Sequence, residues 1–164
     1  MSLHAEFKLA PEFPLTLSET IAVRQFRSRC KESADRYRGS IDIIYSGVDL
    51  DCLARKIFED RGAQRTNIKE VHIYSFRSVG MHTDDLHSRS CLTFLIPILG
   101  KGELFHMVRS TTRRSIRYPI EEQSIKPGFG YIFDDRKPHS FISESKCCFA
   151  LIGSVSKRAL HDYV

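Results

Sequence analysis

Cys91-Leu92-Thr93-Phe94-Leu95-Ile96-Pro97-Ile98 is the most hydrophobic run in the chain, and it reads as a strand buried on both faces. Gly100-Lys101-Gly102 follows as a turn, and Glu103 to Arg109 pairs back as the next strand. Upstream, Val71-His72-Ile73-Tyr74-Ser75-Phe76 forms a strand, with a turn at Gly80 before His82. Downstream, Ser115 to Tyr118 gives another strand. Lys126-Pro127-Gly128-Phe129-Gly130 then turns into Tyr131-Ile132-Phe133. Asp134-Asp135-Arg136-Lys137-Pro138 turns again before His139-Ser140-Phe141-Ile142, and Cys147 to Val155 is a last apolar strand.

The segment before Glu70 has a different texture. Residues 1 to about 15 carry Pro11 and Pro14 and read as an extended lead-in. Thr16-Leu17-Ser18-Glu19 matches a capping box, a hydroxyl at the cap with a Glu three residues on. Ala22, Phe26, Cys30, Ala34 and Tyr37 then recur at helical spacing, which predicts one amphipathic helix of roughly five turns ending near Arg38-Gly39. Ile41 to Tyr45 is short and β-branched, an edge strand. Asp49 or Asp51 caps a second helix, whose stripe is Leu50, Leu53, Ala54, Ile57 and Phe58 and whose stop is Arg61-Gly62. Arg65 to Lys69 is a polar loop. Helices followed by seven or eight short strands predict an α+β chain, its strands closed into a jelly-roll-like barrel with the helices against one sheet.

At 164 residues the chain is most simply one domain, with residues 1–69 as mostly helical support and 70–158 as the β core. Hydrophobic residues at 41% and charged residues at 27% are ordinary for a globular chain. No apolar run approaches the roughly 20 residues that span a bilayer, and the first residues lack the pattern of a secretory signal. Cys30, Cys52, Cys91, Cys147 and Cys148 have neither framework spacing nor a CxxC pair, so reduced thiols in a cytoplasmic protein are expected. The net charge of +5 falls short of a dedicated nucleic-acid binder, although arginines cluster at 24–38 and again at Arg109, Arg113, Arg114 and Arg117. The second cluster reads as a solvated face or as the lining of a site mouth that attracts anions.

The chemistry centres on Gly80-Met81-His82-Thr83-Asp84-Asp85. A His and a carboxylate two residues apart on an extended strand project from the same face. With the distant His139, in Arg136-Lys137-Pro138-His139-Ser140-Phe141, they make a 2-His-1-carboxylate facial triad, which leaves open positions on Fe(II) for cosubstrate and oxygen. Alone, His82-Thr83-Asp84 is a chance-level match, and a lone His is more often a satisfied polar group than a ligand. Order supplies the weight: a strand precedes His82, a buried strand follows it, and His139 follows a Pro-Gly turn and an aromatic strand. Asp85 breaks the period-two geometry and is expected to be a supporting or exposed group. His72, His87 and His106 have no spacing argument, although His87 lies near enough to reach the site mouth.

The run from Val71 to Val155 resembles the Fe(II)- and 2-oxoglutarate-dependent dioxygenases, especially their prolyl-4-hydroxylase-like branch. Ile73-Tyr74 through Met81-His82-Thr83-Asp84-Asp85 looks like that family's strand, turn and H-x-D. The Cys91–Ile98 run with Gly100-Lys101-Gly102-Glu103-Leu104-Phe105 looks like its core strand and hairpin. Ile125-Lys126-Pro127-Gly128-Phe129-Gly130-Tyr131-Ile132-Phe133 with Pro138-His139 looks like its approach to the distal His. The resemblance implies a double-stranded β-helix and iron held by His82, Asp84 and His139. It further implies 2-oxoglutarate as cosubstrate, O2 as oxidant, and hydroxylation of a peptide side chain or small molecule with release of succinate and CO2. Tyr74 stands where relatives often place a cosubstrate-contacting Tyr. The family's Arg for the far carboxylate is missing: Phe149 stands near that position, and Lys146 is the nearest basic residue. A point cation there would do less than a bidentate fork. Two other classes remain open, a cupin-like metal protein without 2-oxoglutarate chemistry and a basic nucleic-acid-binding module. The cupin reading lacks its H-x-H, since Asp84 holds the second position.

Overall fold

The structure is a computed structural model that describes residues 12–36, 39–61, 68–84, 91–107 and 120–156. Several sequence readings lie outside those residues: Pro11, Tyr37, Arg38, Gly62, Asp85, His87, the Ser115–Tyr118 strand and the Arg109, Arg113, Arg114, Arg117 cluster.

Two antiparallel sheets form the body. The larger is six-stranded among the described residues, in the order β1 (Glu12–Pro14), β8 (Phe129–Phe133), β5 (Cys91–Leu99), β10 (Cys148–Ser156), β3 (Ile68–Phe76), β2 (Ile41–Ser46). The smaller is four-stranded among the same residues, in the order β4 (Val79–His82), β9 (His139–Ser143), β6 (Gly102–Met107), β7 (Ile120–Ile125). From β3 to β10 the chain crosses between the sheets strand by strand, except for the β6–β7 pair. That is the double-stranded β-helix, the jelly-roll architecture expected from the strand order.

Period-two alternation divides the side chains of the large sheet between two cores. Phe94 and Ile96 of β5 and Phe149 and Leu151 of β10 face Leu50, Ala54, Ile57 and Phe58 of helix α3 (Val48–Glu59). Leu95, Ala150 and Phe76 face the small sheet instead, with Leu104, Ile125 and Phe141. The Phe76 and Phe141 rings meet edge to face at 4.8 Å across the barrel. Burying each large α3 side chain contributes roughly 1.5–3 kcal/mol, so this stripe fixes the helix on the sheet.

The N-terminal half departs from expectation in detail. The predicted five-turn helix is two short ones, α1 (Leu17–Arg24) and α2 (Arg27–Ser33). They part where the Phe26 N–H bonds the Val23 carbonyl at 3.2 Å, one residue short of the α-helical partner, while the Phe26 ring packs against Tyr45. The capping box at Thr16 is present in both directions. Helix α3 is capped by Gly47, not by an aspartate; Asp49 lies in the first turn and accepts the Tyr45 hydroxyl at 2.9 Å. Strand β2 is the predicted edge, and β1 adds the opposite edge.

Two turn glycines are fixed by backbone conformation. Gly100 has φ +86°, and a Cβ there would lie 2.8 Å from the Cys147 carbonyl oxygen. Gly128 has φ +96° in the turn before β8. Gly80, read as a turn, is instead inside β4. The chain turns earlier, at Arg77-Ser78, where the Arg77 N–H bonds the Ser40 carbonyl at 2.9 Å.

Candidate metal centre

Strands β4 and β9 pair antiparallel with His82 directly opposite His139. Cross-strand partners stand side by side on one face, so their imidazoles meet at 4.3 Å between ring centroids. Strand β4 ends at His82, and Asp84 lies beyond it rather than on it. A hydrogen bond from the Asp84 N–H to the Asp135 carbonyl, 2.9 Å, ties this stretch to the β8–β9 turn and aims the carboxylate back at the histidines.

Asp84 Oδ2 lies 3.4 Å from His82 Nε2 and 3.3 Å from His139 Nε2. The ligand atoms of the three residues all lie within 4.8 Å of one another. The other ring nitrogens are already engaged: His82 Nδ1 with the Gly80 carbonyl at 2.7 Å, His139 Nδ1 with the Lys137 carbonyl at 2.9 Å. A carbonyl accepts only, so each Nδ1 donates its bond, and Nε2 is the nitrogen turned toward Asp84. Two imidazole nitrogens and a carboxylate oxygen thus converge, a group that could hold a metal ion. Backbone carbonyls holding the far nitrogen are the usual support for metal-ligating histidines. His139 is buried and the other two are partly exposed, which leaves the site open on one side.

The triad opens into a cavity of about 440 Å3 between the sheets. Its walls are largely apolar, with Leu95, Leu104, Phe133, Phe141 and Ile152, and the Phe133 ring lies tilted against the His139 ring, 5.2 Å between centroids. Tyr74, where the resemblance implies a cosubstrate-contacting Tyr, is among the lining residues. Burial and then the nearby charges of Glu70 and Asp84 push its phenol above the ordinary value, so it stays a hydrogen-bond donor. Thr93 also lines it. No local sequence signal marks Thr93 or the Asp135 carbonyl that positions Asp84.

Lys146 is elsewhere. It lies with Ala34, Asp35 and Arg77 at a separate depression, not among the residues that line the triad cavity. The reason is register: β10 begins at Cys148 and sends Cys148, Ala150 and Ile152 toward the barrel interior, while Lys146 falls in the bend before it. His72 bonds Ser46 Oγ through Nδ1 at 2.6 Å and does not line the cavity. His106 sits on β6 in register with His139, outside the three-residue ligand group.

No family model and no curated protein sequence matches the chain. Solved structures do match in shape. The non-heme alpha ketoglutarate dependent epimerase SnoN from nogalamycin biosynthesis superposes with a TM-score of 0.56 at 11% identity, covering 94% of this chain and 81% of SnoN. A Pseudomonas putida prolyl-4-hydroxylase gives 0.54 at 15% identity, covering 90% and 91%. Vicilin from hazelnut (Corylus avellana) gives 0.40 at 12% identity; the match covers 54% of this chain, which spans only 24% of the vicilin. At such identities the likeness to SnoN and to the prolyl-4-hydroxylase establishes the fold alone, a double-stranded β-helix.

Proposed function

We propose that the chain is an Fe(II)- and 2-oxoglutarate-dependent oxygenase that hydroxylates a peptide side chain or a small molecule, releasing succinate and CO2. One observation carries the reading: the Nε2 atoms of His82 and His139 and the Asp84 carboxylate converge while both Nδ1 groups are held by backbone carbonyls. Two imidazoles and one carboxylate on one side of a metal are the donor set of non-heme Fe(II) oxygenases. The fold neighbours that name 2-oxoglutarate chemistry or prolyl hydroxylation support the same reading.

Fe(II) and 2-oxoglutarate, when bound, would supply the activation of O2 that side chains cannot. The rest falls to the protein. His82, Asp84 and His139 would hold the metal on one face and leave the cavity face free. Leu95, Leu104, Phe133, Phe141 and Ile152 keep the space beside it dry. Tyr74 offers a neutral donor to the cosubstrate. The test is succinate formation from 2-oxoglutarate by Fe(II)-loaded protein under O2, with a panel of peptides and small molecules. We expect turnover stimulated by one of these and abolished in His82→Ala. Metal-loaded protein that never converts 2-oxoglutarate, or a His82→Ala variant as active as the parent, would overturn the reading.

A further inference from the structure

We infer that the depression lined by Ala34, Asp35, Arg77 and Lys146 is a second binding site, which takes the oxyanion of a small molecule between Arg77 and Lys146. It has a volume of about 410 Å3 and shares no lining residue with the triad cavity. A space of that size suits a small-molecule ligand. Three parts of the chain build it. Ala34 caps the end of α2, and Asp35 follows it. Phe76 and Cys148 are cross-strand partners, so Arg77 leaves β3 at the end where Lys146 approaches β10. The Arg77 N–H bonds the Ser40 carbonyl at 2.9 Å, which holds that backbone against the start of β2. The fold thus brings two cations, distant in sequence, to one place outside the barrel.

Charge tells what belongs there. Arg77 is half-buried, yet its side chain has no hydrogen bond or ion pair among the described residues, and its Nε is shielded from water. Arg136 Nε is buried in the same way, but the Asp134 carboxylate lies 3.4 Å from it. No such carboxylate accompanies Arg77. A guanidinium that has lost part of its hydration without gaining a partner is unfavourable, and an anion at its remaining donors offsets the loss. Lys146 is exposed and likewise pairs with no described carboxylate, so the two like charges share the depression. Asp35 lines it without forming an ion pair to either, which leaves one positive charge in excess. The planar fork of an arginine and the point charge of a lysine both match the oxygens of a phosphate or a carboxylate.

The experiment titrates inorganic phosphate and, separately, acetate into the full chain by calorimetry, with ionic strength held constant by NaCl. The parent should bind one equivalent of at least one of them, with a dissociation constant of about 1 mM or below. Tighter phosphate assigns the site to phosphate esters, and tighter acetate assigns it to carboxylates. Arg77→Gln and Lys146→Gln should each weaken the preferred anion by roughly 10-fold, the size of one charge-assisted contact. Asp35→Asn should tighten it severalfold, because a like charge leaves the site. His82→Ala should bind it as the parent does, which separates this site from the triad. Lys146 is exposed, so Lys146→Gln keeps the test intact where Arg77→Gln disturbs folding. No saturable binding of either anion, an affinity unchanged in Lys146→Gln, or binding lost in His82→Ala would overturn the assignment.

Discussion

Replacing Glu19 by Ala removes the anchor that joins three N-terminal elements. Its side chain is fully buried, and its oxygens accept from Arg61 at 2.7 and 2.8 Å and from the Thr16 N–H at 2.8 Å. Arg61 also bonds the Ile57 carbonyl at 2.6 Å and the Pro14 carbonyl at 2.7 Å, with its guanidinium 4.5 Å over the Phe13 ring. The pair thus ties β1, the start of α1 and the end of α3 to one point. Breaking a buried pair from one side strands the other charge and costs about 3–5 kcal/mol; the lost capping-box arm lies within that figure. For a chain of this size the loss lowers the melting temperature by on the order of 10 °C. Urea denaturation of the parent and of Glu19→Ala, Arg61→Met and Glu19→Leu/Arg61→Met measures it. The double variant should recover most of the loss, because apolar residues of similar volume replace buried pairs at little cost. The pH arm carries its own sign. Burial pushes the Glu19 carboxyl up, but the hydrogen bonds and charge of Arg61 and the Thr16 backbone outweigh it and leave it below its ordinary 4.5. Its stabilisation is therefore complete above that ordinary value and fades as pH falls through the lower folded value. The gap between parent and Glu19→Gln should close only in acid. A loss below about 1 kcal/mol in Glu19→Ala, the range of exposed pairs, would refute the reasoning.

Three other outcomes follow from single positions. Burial pushes the Cys30 thiol up to about 12, whereas Cys52 is exposed; a thiol reagent at pH 8 should label Cys52 in native protein and Cys30 only after unfolding, as peptide mass mapping will read. Gly100→Ala and Gly128→Ala both place a side chain at positive φ, at roughly 1–2 kcal/mol, but only Gly100 also meets a neighbour, the Cys147 carbonyl. Denaturant midpoints should therefore rank Gly100→Ala below Gly128→Ala. Removing a ligand outright with Asp84→Ala should weaken metal binding by more than the 10- to 100-fold typical of supporting groups, with the chain still folded by circular dichroism.

Much of this was legible in the residues because each reading had a mechanism behind it. The Leu50, Ala54, Ile57, Phe58 stripe is one face of a helix, and it is buried as expected. The Cys91–Ile98 run lacks polar alternation because both its faces are covered, one by helices and one by the small sheet. His82 and Asp84 were paired by a period-two rule, yet β4 ends at His82, and a hydrogen bond to the Asp135 carbonyl does what strand geometry was expected to do. No local pattern encodes a contact across two loops. Strand β7, Ile120–Ile125, carries little strand signal for a related reason: four polar residues, Glu121 to Ser124, separate its two isoleucines, and Glu122 and Ser124 are exposed on the small sheet's edge. Lys146 is the basic residue nearest the position that the resemblance assigns, but it precedes β10, whose start only the pairing register defines.

Anaerobic titration of the metal-free protein with Fe(II) tests the central claim most directly. The geometry of His82, Asp84 and His139 predicts one equivalent bound per chain, lost alike in His82→Ala, Asp84→Ala and His139→Ala. Undiminished one-to-one binding in those three folded variants would contradict it.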